Sequence, residues 1–233
     1  MGKLNLIKVA NAEEGAEALF QLLKIELESG RLKVLGLATG GTMIPVYKRW
    51  VSSDLNFKNV TAFNLDEYVG VGEDSPNSYA YFMDVHLYND KEFKAKHRLN
   101  GLAEDLGAEC ATYEALLEKN PLDLQLLGVG ENGHIAFNEP GTSEESTTHV
   151  AQLTDSTLSV NSRFFDNDEK IPDTALTMGI LSILRAKKLV MLAFGEKKRE
   201  ALAKLLEGNV EAEWPITKLL NHEDLIVITD LEF

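Results

Sequence analysis

Three short stretches of the chain hold side chains able to do acid–base chemistry or to grip an anion. In the first, Asp66-Glu67-Tyr68 directly follows the apolar run Val60 to Leu65. A strand ending in two acids sets both at one edge of a sheet, where one carboxylate can act as a general base while the scaffold holds the other. The second is Gly128-Val129-Gly130-Glu131-Asn132-Gly133-His134-Ile135-Ala136-Phe137-Asn138-Glu139-Pro140, with His134 two residues after Asn132 and five before Glu139. An imidazole flanked by an amide and a carboxylate can pass a proton in either direction near neutral pH. Three glycines within six residues free the backbone around it, a freedom that a bland loop does not need. In the third, Leu37-Ala38-Thr39-Gly40-Gly41-Thr42 runs from an apolar strand into a helical stretch. Glycines at such a turn let the free N–H groups of the helix start approach an anion, and Thr39 and Thr42 add hydroxyl donors. Taken alone, this loop reads equally well as a Gly-Gly turn capped by threonine. No lysine follows the glycines, so it is neither a Walker loop nor a dinucleotide fingerprint.

An anion also needs cations. Arg163 stands in Asn161-Ser162-Arg163-Phe164-Phe165, and Lys197, Lys198 and Arg199 follow Gly195 at the end of an apolar strand. Positive charge at a helix start opposes the macrodipole, which makes sense if one lysine faces a phosphate. Lys198 is assigned that role; Lys197 and Arg199 read as a solvated helix face. His134 and Glu139 lack a clear third ligand for zinc, and no His-x-x-x-His pair exists, so no metal site is expected.

The elements that must carry these loops follow from periodicity. Leu4 to Val9, Leu32 to Leu37, Val60 to Leu65, Leu122 to Leu127, Lys188 to Phe194 and Leu225 to Thr229 read as strands. Between them, helices are expected from Asn11 (a capping residue, with Glu14 three positions on) to Gly30, over Thr42 to Val51, Ser78 to Leu87 and Ala108 to Leu117, and from Glu196 to Gly208. Apolar strands alternating with amphipathic helices predict an α/β fold: an open, mostly parallel, Rossmann-like sheet with helices on both faces. Ligands of such sheets sit at the carboxyl ends of the strands, where all three loops fall. With no linker or repeat, residues 1–233 read as a single domain. The polar segment 143–173 is a candidate lid over the sheet edge.

The chain has 233 residues with 23 Lys plus Arg against 37 Asp plus Glu, a net charge of −14. Such an acidic surface disfavours nucleic acid and anionic membranes, whereas a small anion can still be held by local dipoles in one cleft. No apolar run approaches the roughly 20 residues of a membrane helix. The lone Cys110 and the absence of an apolar leader point to a cytoplasmic protein.

Leu37 to Thr42, Phe63 to Tyr68, Gly128 to Pro140 and Asn161 to Asp168 together resemble the signature segments of glucosamine-6-phosphate deaminases, and the likeness extends over nearly the whole chain. The related 6-phosphogluconolactonases share a Gly-rich loop with a histidine but not the Phe137-Asn138-Glu139-Pro140 that follows here. The resemblance implies conversion of glucosamine 6-phosphate and water to fructose 6-phosphate and ammonia, with no cofactor. It implies that His134 opens the ring, flanked by Glu139 and Asn132, and that Asp66 is the enolisation base. Many members have Asp where Asn132 stands. The phosphate pocket would comprise Thr39, Gly40, Gly41, Thr42, Arg163 and Lys198. Two alternatives are a lactonase-like hydrolase and a sugar-phosphate-sensing domain. Larger members form hexamers activated through a second, basic site just after the Phe-Asn-Glu-Pro segment. Here Gly141 to Ala151 carries Glu144 and Glu145 and no Lys or Arg. The chain also stops at Phe233 without the extension of the larger members. A monomer or small homo-oligomer with hyperbolic kinetics is therefore expected.

Overall fold

The computed structural model describes residues 3–161 and 172–233. Strand β1 (Lys3–Lys8) leads into helix α1 (Ala12–Glu28). The side chain of Asn11 accepts the Glu14 N–H at 2.9 Å, and the Glu14 carboxylate accepts the Ala10 N–H at 2.9 Å. A reciprocal cap of this kind stabilises a helix start by about 1 kcal/mol. Then come β2 (Val34–Leu37), a 3₁₀ turn at Gly41–Met43, α2 (Ile44–Val51), β3 (Thr61–Asn64) and β4 (Asp66–Tyr68). After them lie α3 (Tyr79–Met83), prolonged by a π turn at Asp84–Tyr88, β5 (Ala95–His97), α4 (Leu106–Lys119) and β6 (Leu124–Leu127). The remainder holds β7 (His149–Gln152), α5 (Asp155–Asn161), β8 (Thr174–Thr177), α6 (Ile180–Leu184) and β9 (Leu189–Ala193). A 3₁₀ turn at Glu196–Lys198 enters α7 (Arg199–Leu206), and a 3₁₀ segment at Pro215–Asn221 precedes β10 (Asp224–Thr229).

Seven strands form one sheet in the order β1-β10-β9-β6-β2-β3-β5, with every pairing parallel. All residues of β3, β6 and β9 are buried, as they must be when both faces of the sheet are covered. From β2 the chain steps outward through β3 and β5; from β6 it steps the other way through β9 and β10. The order reverses between β2 and β6, and that reversal opens a crevice at their carboxyl ends.

A second sheet, β4-β8-β7, is antiparallel and lies outside the sequence-based expectation. The chain leaves β3 and after Leu65 joins this sheet directly, pairing Asp66 with Thr177 and Tyr68 with Ala175. Its own apolar cluster gathers Tyr68, Ala151, Leu153 and Ala175 around Phe137. The small sheet thereby props the loop that follows β6. Segment 143–173 contributes β7 and α5 to this region, and its residues 162–171, Arg163 among them, lie outside the described residues. Among the described residues no helix is long and apolar enough to cross a membrane.

Candidate active site

The loops after β2, β3, β6 and β9 converge on one pocket at the crevice. Thr39, Gly40 and Thr42 line it from the β2 loop, Asp66 from the start of β4, Asn132 and His134 from the β6 loop, and Lys198 from the turn after β9. Gly40 has φ 98°, a left-handed value that a side chain would strain, and its carbonyl accepts the Met43 N–H at 2.9 Å. The 3₁₀ turn so formed opens α2, with Pro45 in its first turn. Gly41 is exposed in that turn.

Asp66 is buried, and its Oδ1 has no hydrogen-bond partner. Loss of solvation, reinforced by the neighbouring Glu67 charge, pushes its carboxyl well above the ordinary carboxylate range. Glu67 has a different task. Its two oxygens accept the backbone N–H groups of Tyr68, Tyr79 and Ala80 at 2.8–2.9 Å, tying β4 to the start of α3. Burial raises its carboxyl too, against these three donors.

The β6 loop turns tightly on itself. The Gly130 N–H donates to the His134 carbonyl at 2.9 Å, and the Gly133 N–H to the Gly130 carbonyl at 3.1 Å. The imidazole of His134 lies directly on Gly130, where a Cβ would come within 2.3–2.5 Å of three ring atoms. Ala136, also at the pocket wall, takes φ 54°, a left-handed conformation uncommon outside glycine.

Glu139 is brought to 3.8 Å from His134 Nδ1. Asn132 reaches the carboxylate rather than the ring: its Nδ2 donates to Glu139 Oε2 at 3.0 Å, and its Oδ1 accepts the His134 N–H at 3.2 Å. Burial lowers the imidazole's proton affinity, Glu139 pulls it back up, and Lys198 lowers it again; the net is below the ordinary histidine value. His134 is therefore neutral at neutral pH.

Lys198 stands at the pocket wall, whereas Lys197 pairs with Glu131 at 3.2 Å and Arg199 with Glu196 outside it. Two pocket residues carried no sequence signal. Thr157 of α5 touches both Glu139 and His134. Tyr79 stacks on Phe137 with ring centroids 5.9 Å apart. Among the described residues, no group of three or more His, Cys, Asp or Glu side chains could hold a metal ion.

Comparison with known proteins identifies the family of the chain. Residues 8–227 fit the family described as glucosamine-6-phosphate isomerases/6-phosphogluconolactonase. The glucosamine-6-phosphate deaminase of Enterococcus faecalis is 48% identical over 227 residues, covering 97% of each chain. That of Streptococcus sanguinis is 49% identical over 229 residues, covering 98% of this chain and 97% of its own. A solved monomeric glucosamine-6-phosphate deaminase superposes with TM-score 0.92 at 40% identity, over 97% of this chain and 96% of its own. The 6-phosphogluconolactonase of Trypanosoma brucei, at 19% identity and TM-score 0.79 over 98% and 96% of the two chains, shares the fold. The chain belongs to the glucosamine-6-phosphate isomerase/6-phosphogluconolactonase family.

Proposed function

We propose that the chain is an enzyme that converts glucosamine 6-phosphate and water to fructose 6-phosphate and ammonia. One observation carries the residue-level reading. A buried carboxylate with an unpartnered oxygen, Asp66, lines one pocket with His134, the glycine loop and Lys198, and Glu139 lies 3.8 Å from the imidazole. In this reading the substrate phosphate rests on Thr39, Gly40, Gly41 and Thr42 and on the Lys198 ammonium, with Arg163 as a further cation. Holding the phosphate sets the orientation of the reacting end.

The neutral imidazole of His134 takes the proton of the anomeric hydroxyl and returns one to the ring oxygen, giving the open aldehyde. Glu139 stabilises the imidazolium formed between the two transfers. Asp66 then removes the proton from carbon 2 and delivers it to carbon 1 by way of an enolamine, while a proton passes from the amine nitrogen to the carbon 1 oxygen. The product is the 2-imine of the ketose. Water adds to that imine carbon, and the carbinolamine expels ammonia. Every atom balances with water as the co-reactant. The missing hydrogen bond at Asp66 Oδ1 suits a base, because a carboxylate without donors holds a proton more strongly.

The same reading makes the chain a monomer or small homo-oligomer with hyperbolic saturation, supported by the acidic Gly141 to Ala151 segment. We assign it to the cytoplasm; the single cysteine, Cys110, is buried and its thiol is pushed up to about 11 by burial and the nearby Glu109 charge.

The test is product formation by the purified chain. Ammonia and ketose phosphate should appear in equal amounts from glucosamine 6-phosphate, with no comparable hydrolysis of 6-phosphogluconolactone. Lactone hydrolysis without ammonia would make the chain a lactonase, and tight sugar-phosphate binding without turnover would make it a sensor.

A further inference from the structure

Thr157 is 2% exposed and stands where α5 meets the β6 loop. Its Oγ1 makes a short hydrogen bond to Glu139 Oε1 and lies 3.4 Å from His134 Nδ1 and 3.3 Å from Thr154 Oγ1. It is nearer to Nδ1 than the Glu139 carboxylate is, at 3.8 Å. A hydroxyl has one proton and two lone pairs. The proton goes to the closest and only anionic neighbour of the three, Glu139. Thr157 Oγ1 must then accept from the other two, Thr154 Oγ1 and His134 Nδ1.

We propose that Thr157 is a positioning residue that fixes His134 as its Nδ1–H tautomer and holds the Glu139 carboxylate in place beside it, leaving the Nε2 lone pair for the substrate.

Other donors work in the same direction. Glu139 also accepts from Asn132 Nδ2 at 3.0 Å and from the Thr154 N–H at 3.4 Å. These donors fix the position of the carboxylate beside the ring. Among the described residues, the charged groups around the imidazole are Glu139 of its own loop, Lys198 of the turn after β9, and Asp66 and Glu131 at the pocket wall. Because burial and Lys198 outweigh Glu139, the ring is neutral, and the tautomer decides which nitrogen can act. Unaided, a histidine side chain in water favours the Nε2–H form, so the opposite choice needs an acceptor placed at Nδ1. The Thr157 hydroxyl is that acceptor. The inference about the ring stands on the geometry; its bearing on turnover rests on the deaminase reading above.

Ring-¹⁵N histidine spectra of the substrate-free protein read the tautomer directly, with the His134 signal assigned by its loss in His134→Gln. Thr157→Val keeps the branched shape and removes the hydroxyl; Thr157→Ser keeps the hydroxyl. The wild type and Thr157→Ser should show Nδ1–H, and Thr157→Val a shift toward Nε2–H. In ammonia release, Thr157→Val should lose about 10- to 100-fold in kcat, the range for one hydrogen bond to a charged group, with KM little changed and Thr157→Ser restoring the rate. A wild-type His134 in the Nε2–H form overturns the proposal, and this spectrum decides even if the valine variant does not fold. Equal kcat losses in Val and Ser with unmoved tautomers would make Thr157 a packing residue. Absence of ammonia release from the wild type would instead refute the deaminase reading while the spectra still judged Thr157.

Discussion

Replacing Asp66 with asparagine separates the chemistry of the site from its shape. The amide keeps the volume of a side chain that is 6% exposed and removes only its capacity to take a proton. A positioned general base contributes about 10²–10⁴ in rate, so kcat for ammonia release should fall by that factor. The phosphate loop and Lys198 are untouched, so affinity for the sugar phosphate, measured by calorimetry, should survive. The fold should respond in the opposite sense to the rate. Asp66 holds its proton more tightly folded than unfolded, because burial and Glu67 both raise its pKa. Its contribution to stability is complete below the unfolded carboxylate value of about 3.9 and is lost as pH rises through the raised folded value. The asparagine of the variant does not titrate. Thermal melts of Asp66→Asn should therefore gain on those of the wild type progressively across that window, and no gain should appear below it. A kcat within tenfold of wild type would remove Asp66 from the proton transfer. A melting difference that does not change with pH would remove the burial argument.

Four further substitutions probe the remaining residues of the site. His134→Gln should slow turnover of the closed sugar while an open-chain analogue binds with unchanged affinity; equal weakening for both would make His134 structural. Lys198→Ala should raise KM for the phosphorylated sugar by about 10- to 100-fold, the worth of one charge-assisted hydrogen bond, and Arg163→Ala is expected to do the same; unchanged KM in both would dissolve the phosphate pocket as assigned. Gly130→Ala should displace the His134 ring, since the added methyl would stand 2.3 Å from it, and a shift of about 1 Å costs about 100-fold in kcat; a variant with full activity would show that the ring has room to move.

Six of the seven strands of the main sheet were readable: β2, β3, β6, β9 and β10 as apolar runs under covered faces, and the edge strand β1 by its alternation of apolar and polar residues. The seventh, β5, is the three residues Ala95–His97 at the sheet edge, half-exposed and containing two polar side chains. Such a strand is defined by its partner β3, not by its own pattern. The small sheet escaped for the same reason. Asp66-Glu67-Tyr68 reads as a polar loop, and only pairing with β8 makes it a strand. The site loops announced themselves through glycines and the rare combination of acid, amide and imidazole. Thr157 did not, because a threonine in a polar segment carries no spacing signal, and its closeness to His134 is made entirely by the packing of α5 on the β6 loop. Of the two acids, one was expected to be held by the scaffold; the three backbone donors on Glu67 make it that one, a brace for α3.

The reversal of strand order between β2 and β6 has a bearing on how the native protein breathes. Edge strands lose their partners first in sub-global opening, and central ones exchange their amide hydrogens only when the whole domain unfolds. In this sheet β1 and β5 are the edges, while β2 and β6 have neighbours on both sides. The glycine loop and the His134 loop are rooted in those two central strands. Fraying at either margin of the sheet therefore leaves both loops anchored in strands that keep a neighbour on each side. Asp66 is rooted differently, since it hangs from β3, next to the edge, and is held on its far side by β8 of the smaller sheet. On the roles proposed for these residues, opening of the smaller sheet would release Asp66 while the glycine loop stayed anchored, so turnover would fail before sugar-phosphate binding does.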